Sequence, residues 1–145
     1  MPGFEISVTS RASIDAVFGV LANIGRWHEW AGPTVRESSR ERDGHPEPDG
    51  VGAVRKLGSR PFYTREEIVE FDPPHHLAYV LRSGLPLRGY RADVLLAEAG
   101  DEGTSITWRS SFEPVIPGSG AAFRWFLRRT VRGFATRLAA RAERP

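Results

Sequence analysis

Hydrophobic residues recur at helical spacing in one long segment near the C-terminal end of the chain, residues 118–144. On a wheel of 3.6 residues per turn, apolar side chains occupy one face of this segment and arginines occupy the other. The apolar face consists of Phe123, Phe126, Leu127, Thr130, Val131, Phe134 and Leu138. A helix with so large an aromatic face must pack against a concave apolar surface, which the rest of the chain has to provide.

Alternation with a period of two predicts that this surface is a β-sheet. Residues 4–8 alternate between apolar and polar, and six further strands are predicted between residues 33 and 112, separated by turns rich in Gly, Pro and Asp. Between the first strand and the others, Ser13 is a predicted N-cap of a short helix. Residues 23–30 then form a second short helix or a tight loop.

The pairing of neighbouring strands is predicted by the alternation on both faces. In the last hairpin, one register places Asp93 opposite Arg109 on the outer face and matches apolar residues on the inner face. The inner pairs are Val94 with Trp108, Leu96 with Ile106, and Tyr90 with Phe112. The same logic around the turn at residues 72–74 pairs Phe71 with Leu77 and Val69 with Tyr79, and places Glu67 on the inner face opposite Leu81.

The order of these elements predicts an α+β fold. Consecutive hairpins indicate an antiparallel sheet, and one-sided alternation indicates that its outer face meets water. We therefore expect a curved antiparallel sheet of about seven strands around the long C-terminal helix, with two short helices after the first strand. No repeat or linker divides the sequence, so residues 1–145 are predicted to form a single domain.

Composition excludes several kinds of site. The chain has 145 residues, 40% of them hydrophobic and 26% charged, as is typical of a globular domain. No run approaches the ~18 apolar residues of a membrane span and no export signal is visible, so a cytoplasmic location is expected. Cysteine is absent, which excludes thiolate metal sites. No metal site is predicted from the histidines, because His75 and His76 are adjacent and would point to opposite faces of a strand.

Positive charge is concentrated on the predicted C-terminal helix. Residues 118–145 contain seven Arg and one Glu, a net charge of +6, whereas the remaining 13 basic and 17 acidic residues have a net charge of −4. Nucleic-acid binding is not favoured, because the aromatic residues of this helix lie mostly on the apolar face. Trp125 lies among the arginines instead, which indicates transient contact with an anionic membrane or, alternatively, packing under a loop or a cation–π contact.

Four segments in this order resemble the START-like (SRPBCC) superfamily. They are IDAVFGVLANIGRWHEW near the N-terminus, TREEIVEFDPP in the middle, YRADVLL followed by EGTSITWRSSFEP, and the terminal amphipathic helix. The chain is similar in particular to the bacterial polyketide cyclase/dehydrase branch, whose members have a helix-grip fold. The resemblance implies a cavity between sheet and helix for an apolar or amphipathic small molecule, and it does not determine a reaction.

Residues on the predicted inner faces of the sheet and the terminal helix would line such a cavity, and Trp27 and Trp30 would lie at the edge of its entrance. The lining residues are Val69, Tyr79, Leu81, Trp108, Ser110, Phe112, Phe123, Phe126, Thr130 and Phe134. An apolar wall with a few polar groups is the usual composition of a ligand site. For the polar members the alternative is core packing with a locally satisfied polar tip, and for the two N-terminal tryptophans it is simple anchoring of the short helices.

Glu67 is the main candidate for acid–base chemistry. On the inner face, desolvation would raise the pKa of its carboxyl group, and Tyr90 or Tyr79 would polarise a substrate carbonyl. Two other interpretations stay open. Either Glu67 pairs with an arginine of the terminal helix, or Glu66 is the glutamate that points inward.

These residues are compatible with more than one function. Binding of a lipid or polyketide-like molecule, as a carrier or sensor, is favoured because no recognisable catalytic constellation is present. The alternative is a cyclase/dehydratase enzyme with Glu67 and Tyr90 as catalytic residues. Neither function requires a cofactor. Exchange of lipids at an anionic membrane is a third hypothesis, which depends on Trp125 and the arginines around it.

Overall fold

The computed structural model describes residues 2–144, and seven strands in this part of the chain form one curved antiparallel sheet. The strands are β1 (Gly3–Ser10), β2 (Glu37–Arg42), β3 (Val54–Ser59), β4 (Phe62–Asp72), β5 (His76–Ser83), β6 (Leu87–Glu98) and β7 (Thr104–Pro114). Their order across the sheet is β1-β7-β6-β5-β4-β3-β2. The predicted α+β architecture is therefore confirmed, including the number of strands.

Two short helices follow β1, and a long helix follows β7. They are α1 (Ile14–Ala22), a 3₁₀ helix (Ile24–Glu29) and α2 (Gly120–Ala142); a 3₁₀ turn (Gly100–Glu102) lies between β6 and β7. Ser13 caps α1 as predicted, because its Oγ accepts a hydrogen bond from the Ala16 N–H at 3.2 Å. Among the described residues, no helix combines the length and the apolar character needed to cross a membrane.

Helix α2 lies across the inner face of the sheet and contacts β1, β7 and α1. Its buried side chains are Leu127, Val131, Phe134, Ala135, Leu138 and Ala139. Hydrogen bonds to β1 hold both ends of the helix: Arg124 Nε donates to the Gly3 carbonyl at 2.8 Å, and Ser10 Oγ donates to the Ala139 carbonyl at 2.8 Å. The predicted apolar face is correct from Leu127 onward, whereas Phe126 is 47% exposed at its edge.

The hairpin of β6 and β7 has the predicted register through most of its length. Val94 pairs with Trp108, Leu96 with Ile106, and Asp93 with Arg109. The predicted pair of Tyr90 and Phe112 is wrong. The register shifts between Arg88 and Arg91, where Gly89 has a positive φ of 60°, so Tyr90 lies in a bulge without a direct partner. Its ring still stacks on that of Phe112, with centroids 6.4 Å apart.

The hairpin of β4 and β5 departs from the prediction in a way that changes the site. Phe71 pairs with Leu77 as expected, but β4 contains a bulge between Ile68 and Glu70. Val69 is the extra residue of the bulge, so Ile68 rather than Val69 pairs with Tyr79. A bulge reverses the alternation of the residues beyond it. Glu66 therefore pairs with Leu81 on the inner face, and Glu67 points outward.

Charged side chains form a network on the outer face of the sheet. His76 Nδ1 lies 2.9 Å from Glu70 Oε2, and His76 Nε2 lies 2.8 Å from Asp93 Oδ1. Arg91 Nη2 contacts the same Asp93 oxygen at 3.0 Å. Burial raises the pKa of the Asp93 carboxyl, but the hydrogen bonds from Arg91 and His76 outweigh burial, and the pKa is lowered overall.

This lowered pKa predicts that Asp93 contributes to acid sensitivity. A carboxyl whose pKa is lower in the folded state stabilises the protein at pH values above its unfolded pKa of about 3.9, and the contribution is lost as the pH falls through the folded pKa. The Asp93→Asn variant is expected to be less stable than the wild type at neutral pH and to lose less stability on acidification. Urea unfolding at a series of pH values measures this; parallel pH profiles of the two proteins would contradict it.

Candidate functional site

A cavity of about 240 Å³ lies between the sheet and the N-terminal half of α2. Its walls come from strands β3 to β6, from the segment before β2, and from α2. The lining is Thr34, Val35, Leu57, Gly58, Phe62, Tyr63, Thr64, Glu66, Tyr79, Leu81, Gly84, Leu85, Tyr90, Phe126, Leu127, Thr130, Val131 and Phe134. The wall is thus mainly apolar, with one carboxylate and a few hydroxyl groups as the polar atoms available to a ligand.

An aromatic cluster closes the inner end of this cavity. The Phe134 ring lies 5.7 Å from that of Trp27 and 6.2 Å from that of Trp108, measured between centroids. Trp27 and Trp108 are 1% and 0% exposed, and Trp30 packs on Trp27 with centroids 4.8 Å apart. The space between helix and sheet is therefore filled by aromatic side chains beside the cavity, which limits its volume.

The carboxylate in the cavity wall is Glu66, and it is paired with a buried arginine. Arg55 and Glu66 are direct cross-strand partners on β3 and β4, and Arg55 Nη2 donates to Glu66 Oε1 at 3.1 Å. The guanidinium of Arg55, which is 1% exposed, also lies over the rings of Trp27 and Tyr79, with Cζ 4.7 and 5.2 Å from their centroids. Arg55 Nε and Nη1 find no hydrogen-bond acceptor among residues 2–144.

Burial is the main influence on the pKa of this glutamate. Desolvation raises the pKa of the Glu66 carboxyl, and the charge and hydrogen bond of Arg55 oppose the increase without cancelling it. Among the described residues no hydrogen bond reaches Glu66 Oε2. A carboxyl group with a raised pKa and one free oxygen in an apolar cavity can hydrogen-bond a ligand and can exchange a proton with it.

Two tyrosines stand beside Glu66 in the cavity wall. Tyr79 and Tyr90 have ring centroids 6.3 Å apart, and Tyr90 Oη lies 3.2 Å from Ser110 Oγ. Burial raises the pKa of Tyr79 well above its usual value, and burial raises that of Tyr90 to about 12 although the Ser110 hydrogen bond lowers it. Both phenols therefore remain protonated at neutral pH, and each has an O–H to donate.

The structure places some of the sequence-predicted site residues in this cavity and others elsewhere. Tyr79, Leu81, Tyr90, Phe126, Thr130 and Phe134 line it, although their role in binding stays a prediction. The predicted residues outside the lining are Trp27, Trp30, Val69, Trp108, Ser110, Phe112 and Phe123. Most of these pack in the aromatic core, where apolar alternation cannot distinguish a filled space from an empty one. Val69 is excluded by the β4 bulge.

The predicted position of Glu67 is wrong. Its carboxylate lies on the outer face, where Oε1 is 2.8 Å from Arg82 Nη2 and 3.5 Å from Arg42 Nη2. Neither arginine belongs to α2, so the second interpretation of Glu67 also fails, whereas the third, an inward Glu66, is confirmed. Sequence reasoning missed Arg55, although Ala53, Arg55 and Leu57 alternate as one buried face and would have revealed it.

Metal-binding residues do not converge anywhere in residues 2–144. No group of three or more His, Asp or Glu side chains in this part of the chain is arranged to hold an ion. The polar side chains of the cavity wall carry oxygen donors and acceptors, among them those of Glu66, Tyr79 and Tyr90, which suits recognition of carbonyl or hydroxyl groups.

The sequence matches one family model along almost its whole length. Residues 1–143 match the model described as polyketide cyclase/dehydrase and lipid transport. No curated protein sequence matches the chain.

Solved structures with the same fold cover nearly the whole chain at low identity. A START superfamily protein from Mycobacterium smegmatis superposes with a TM-score of 0.83 at 12% identity, covering 99% of this chain and 98% of that one. The Zhui aromatase/cyclase from Streptomyces sp. R1128 superposes with a TM-score of 0.79 at 16% identity, covering 98% of this chain and 93% of that one. Major latex-like protein 151 from Panax ginseng superposes with a TM-score of 0.78 at 13% identity, covering 99% of this chain and 97% of that one. At these identities the similarity establishes the START-like fold.

Proposed function

Because the chain belongs to the polyketide cyclase/dehydrase and lipid transport family, we propose that it binds a small hydrophobic or amphipathic molecule between the sheet and α2, as a carrier or sensor. The observation that carries this proposal is the apolar cavity in which Glu66, the only carboxylate that residues 2–144 contribute to its wall, lies beside two protonated tyrosines. Apolar walls supply affinity by removing ligand surface from water. The few polar atoms orient a carbonyl or hydroxyl group of the ligand and thereby supply specificity.

Ligand binding is expected to raise the melting temperature. A ligand present at 100 times its Kd stabilises the folded state by about 2.7 kcal/mol, which for a chain of this size corresponds to a shift of roughly 5 °C or more. A thermal-shift screen of fatty acids, fatty alcohols and aromatic polyketides, followed by native mass spectrometry of each hit, tests the proposal. Absence of any stabilising compound of these classes would count against it.

A blocking variant locates the bound molecule. Thr64 lies in the cavity wall, and Thr64→Trp would fill much of the available volume, so affinity is expected to fall about tenfold or more. Thr107→Trp is the matched control, because Thr107 lies on the outer face of the sheet, away from the cavity. There it pairs with Ser7 of β1 and Leu95 of β6. Equal loss of affinity in both variants, measured by isothermal titration, would place the ligand outside the cavity.

Catalysis by a cyclase/dehydratase is the second candidate, and the position of Glu66 favours it. The carboxylate form would take a proton from the carbon next to a substrate carbonyl, while Tyr79 or Tyr90 donates a hydrogen bond to the carbonyl oxygen. The resulting enolate carbon would attack a second carbonyl carbon of the chain, so that a C–C bond replaces the π bond of that carbonyl, and its oxygen would take the proton from Glu66 to become a hydroxyl group. In the dehydration that follows, Glu66 would take another proton from the carbon between the two groups and deliver it to this hydroxyl group, whose C–O bond breaks as a C=C bond forms and water leaves. A raised pKa suits a group that must occupy both forms in one reaction cycle.

Adjacent glutamates provide a controlled test of this chemistry. Given a poly-β-ketone substrate, Glu66→Gln is expected to lower kcat by roughly 10²–10⁴-fold, because an amide cannot exchange the proton. Glu67→Gln changes the same functional group on the outer face of the sheet and is expected to leave kcat unchanged. Unchanged turnover in Glu66→Gln, with circular dichroism confirming the fold, would refute the catalytic role and leave the binding role in place.

A further inference from the structure

The cavity adjoins a second depression on the surface of α2. This depression, the arginine groove, has a volume of about 680 Å³. It is lined by four residues that also line the cavity and by Pro33, Trp125, Arg129, Arg132, Gly133, Thr136 and Arg137. The shared residues are Thr34, Phe126, Thr130 and Phe134. Ligand pockets usually measure about 300–1,000 Å³, so the 240 Å³ cavity alone accommodates only a small molecule or one part of a larger one.

The arginine groove is positively charged. In the part of the chain that the structure describes, its lining contains three arginines and no acidic residue. Within residues 2–144, no carboxylate oxygen lies within 4.0 Å of Arg129, Arg132 or Arg137; the α2 arginine that does have such a contact is Arg141, 3.8 Å from Glu29 and outside the groove. Unpaired guanidinium groups along one side of a groove favour an anionic occupant, because each presents a planar set of N–H donors to carboxylate or phosphate.

Two of the three arginines are held in place by their surroundings. Arg129 Cζ lies 5.6 Å from the centroid of the Trp125 ring, which is 63% exposed. The guanidinium of Arg137 lies against Gly32 and Gly133, so closely that a Cβ atom on Gly32 would be 2.8 Å from Arg137 Nη1. A positioned guanidinium loses less conformational entropy when it binds an anion than a freely moving one does.

We propose that the arginine groove binds the acidic headgroup of an amphipathic ligand whose apolar part occupies the cavity. This inference rests on the proposed binding function and specifies the ligand class: a monomeric amphiphile with a carboxylate or phosphate at one end. Phe126, at the boundary of the two spaces, covers the segment of the ligand between headgroup and apolar part. A cationic headgroup is disfavoured, because Arg129, Arg132 and Arg137 would repel it.

The test compares three probes with the same apolar chain: decanoate, decanol and decylammonium, each at concentrations where light scattering detects no aggregates. Isothermal titration is expected to give a Kd for decanoate about tenfold or more below that for decanol, with decylammonium weakest. Raising the salt concentration should reduce the advantage of decanoate, since the groove is open to water.

Two variants that remove the same charge distinguish anion binding in the arginine groove from a general electrostatic attraction to the positively charged protein. Arg129→Gln/Arg132→Gln is expected to make decanoate bind no better than decanol while decanol binding is unchanged. Arg11→Gln/Arg109→Gln removes the same charge from exposed positions away from the groove and should preserve the preference for decanoate. Equal affinities for decanoate and decanol in the wild type would overturn this inference and leave the binding function standing. Failure of all three probes to bind would count against both.

A bilayer is the other source of acidic headgroups. Co-sedimentation with vesicles of phosphatidylcholine containing 30% phosphatidylglycerol is expected to show weak binding compared with the monomeric probe. Strong, salt-sensitive co-sedimentation that Trp125→Ala abolishes, without any preference for monomeric decanoate, would overturn the proposal in favour of contact with a membrane surface.

Discussion

Arg55→Leu is expected to lower the free energy of unfolding by about 3–5 kcal/mol at neutral pH, because removal of one member of a buried ion pair leaves the other charge without compensation. Arg55 is 1% exposed and supplies the hydrogen bond that Glu66 Oε1 accepts at 3.1 Å. For a chain of this size the melting temperature should fall by roughly 10 °C. Differential scanning calorimetry and urea unfolding measure the effect.

The Glu66 carboxyl that remains in Arg55→Leu makes the pH dependence of stability a second measurement of the same effect. Without Arg55, only desolvation acts on Glu66, so its folded pKa rises further above the unfolded value. A carboxyl whose pKa is raised on folding destabilises the protein at high pH, and the cost disappears as the pH falls through the folded pKa. Stability of Arg55→Leu should therefore increase from neutral to mildly acidic pH. A flat profile would show that Glu66 is not buried as described.

The double variant Arg55→Leu/Glu66→Leu is the matched control. Replacing both members of a buried ion pair with apolar residues is often neutral or stabilising, so this variant should recover most of the stability that the single substitution loses. Its cavity would lack a carboxylate, so ligands that depend on Glu66 for orientation should bind more weakly to it. If the double variant is as unstable as the single one, packing of Arg55 on Trp27 and Tyr79, rather than charge, accounts for the loss.

Phe134→Ala is expected to cost about 3–5 kcal/mol of stability, the usual range for a buried phenylalanine. Phe134 is 9% exposed and separates the cavity from the indoles of Trp27 and Trp108. Its truncation should also enlarge the cavity, so a bulkier ligand should recover part of the lost stability by filling the new space. Thermal unfolding with a series of ligands of increasing size measures both effects.

Phe62→Ala serves as the comparison for this truncation. Phe62 lines the same cavity but is 82% exposed, so the identical substitution should change stability by no more than about 0.5 kcal/mol. If Phe134→Ala were equally mild, Phe134 could not be the wall between core and cavity. If it were destabilising but no ligand of any size compensated, the enlarged space would have collapsed.

The amino-acid sequence alone determined the architecture, because the patterns that mark strands, helices and their ends are local in the sequence. Period-two alternation predicted most of the strands, Ser13 predicted the start of α1, and the 3.6-residue pattern predicted α2 to within two residues at each end. Register was also predictable wherever pairing ran without interruption, as between Val94 and Trp108. Each of these features depends on a repeat that a short stretch of residues displays by itself.

Tertiary structure alone decided which carboxylate enters the cavity and how much of the inner face is cavity. One bulge residue, Val69, shifts the inward position from Glu67 to Glu66, and its placement depends on how β4 pairs with β5. Helical periodicity placed Phe134 on the inner side of α2 and strand alternation placed Trp108 on the inner face of the sheet, but only packing in three dimensions shows that Phe134 contacts Trp108 on one side and the cavity on the other. Whether the space between helix and sheet is filled or empty depends on the combined volume of side chains from elements far apart in the sequence. A local sequence pattern does not contain that information.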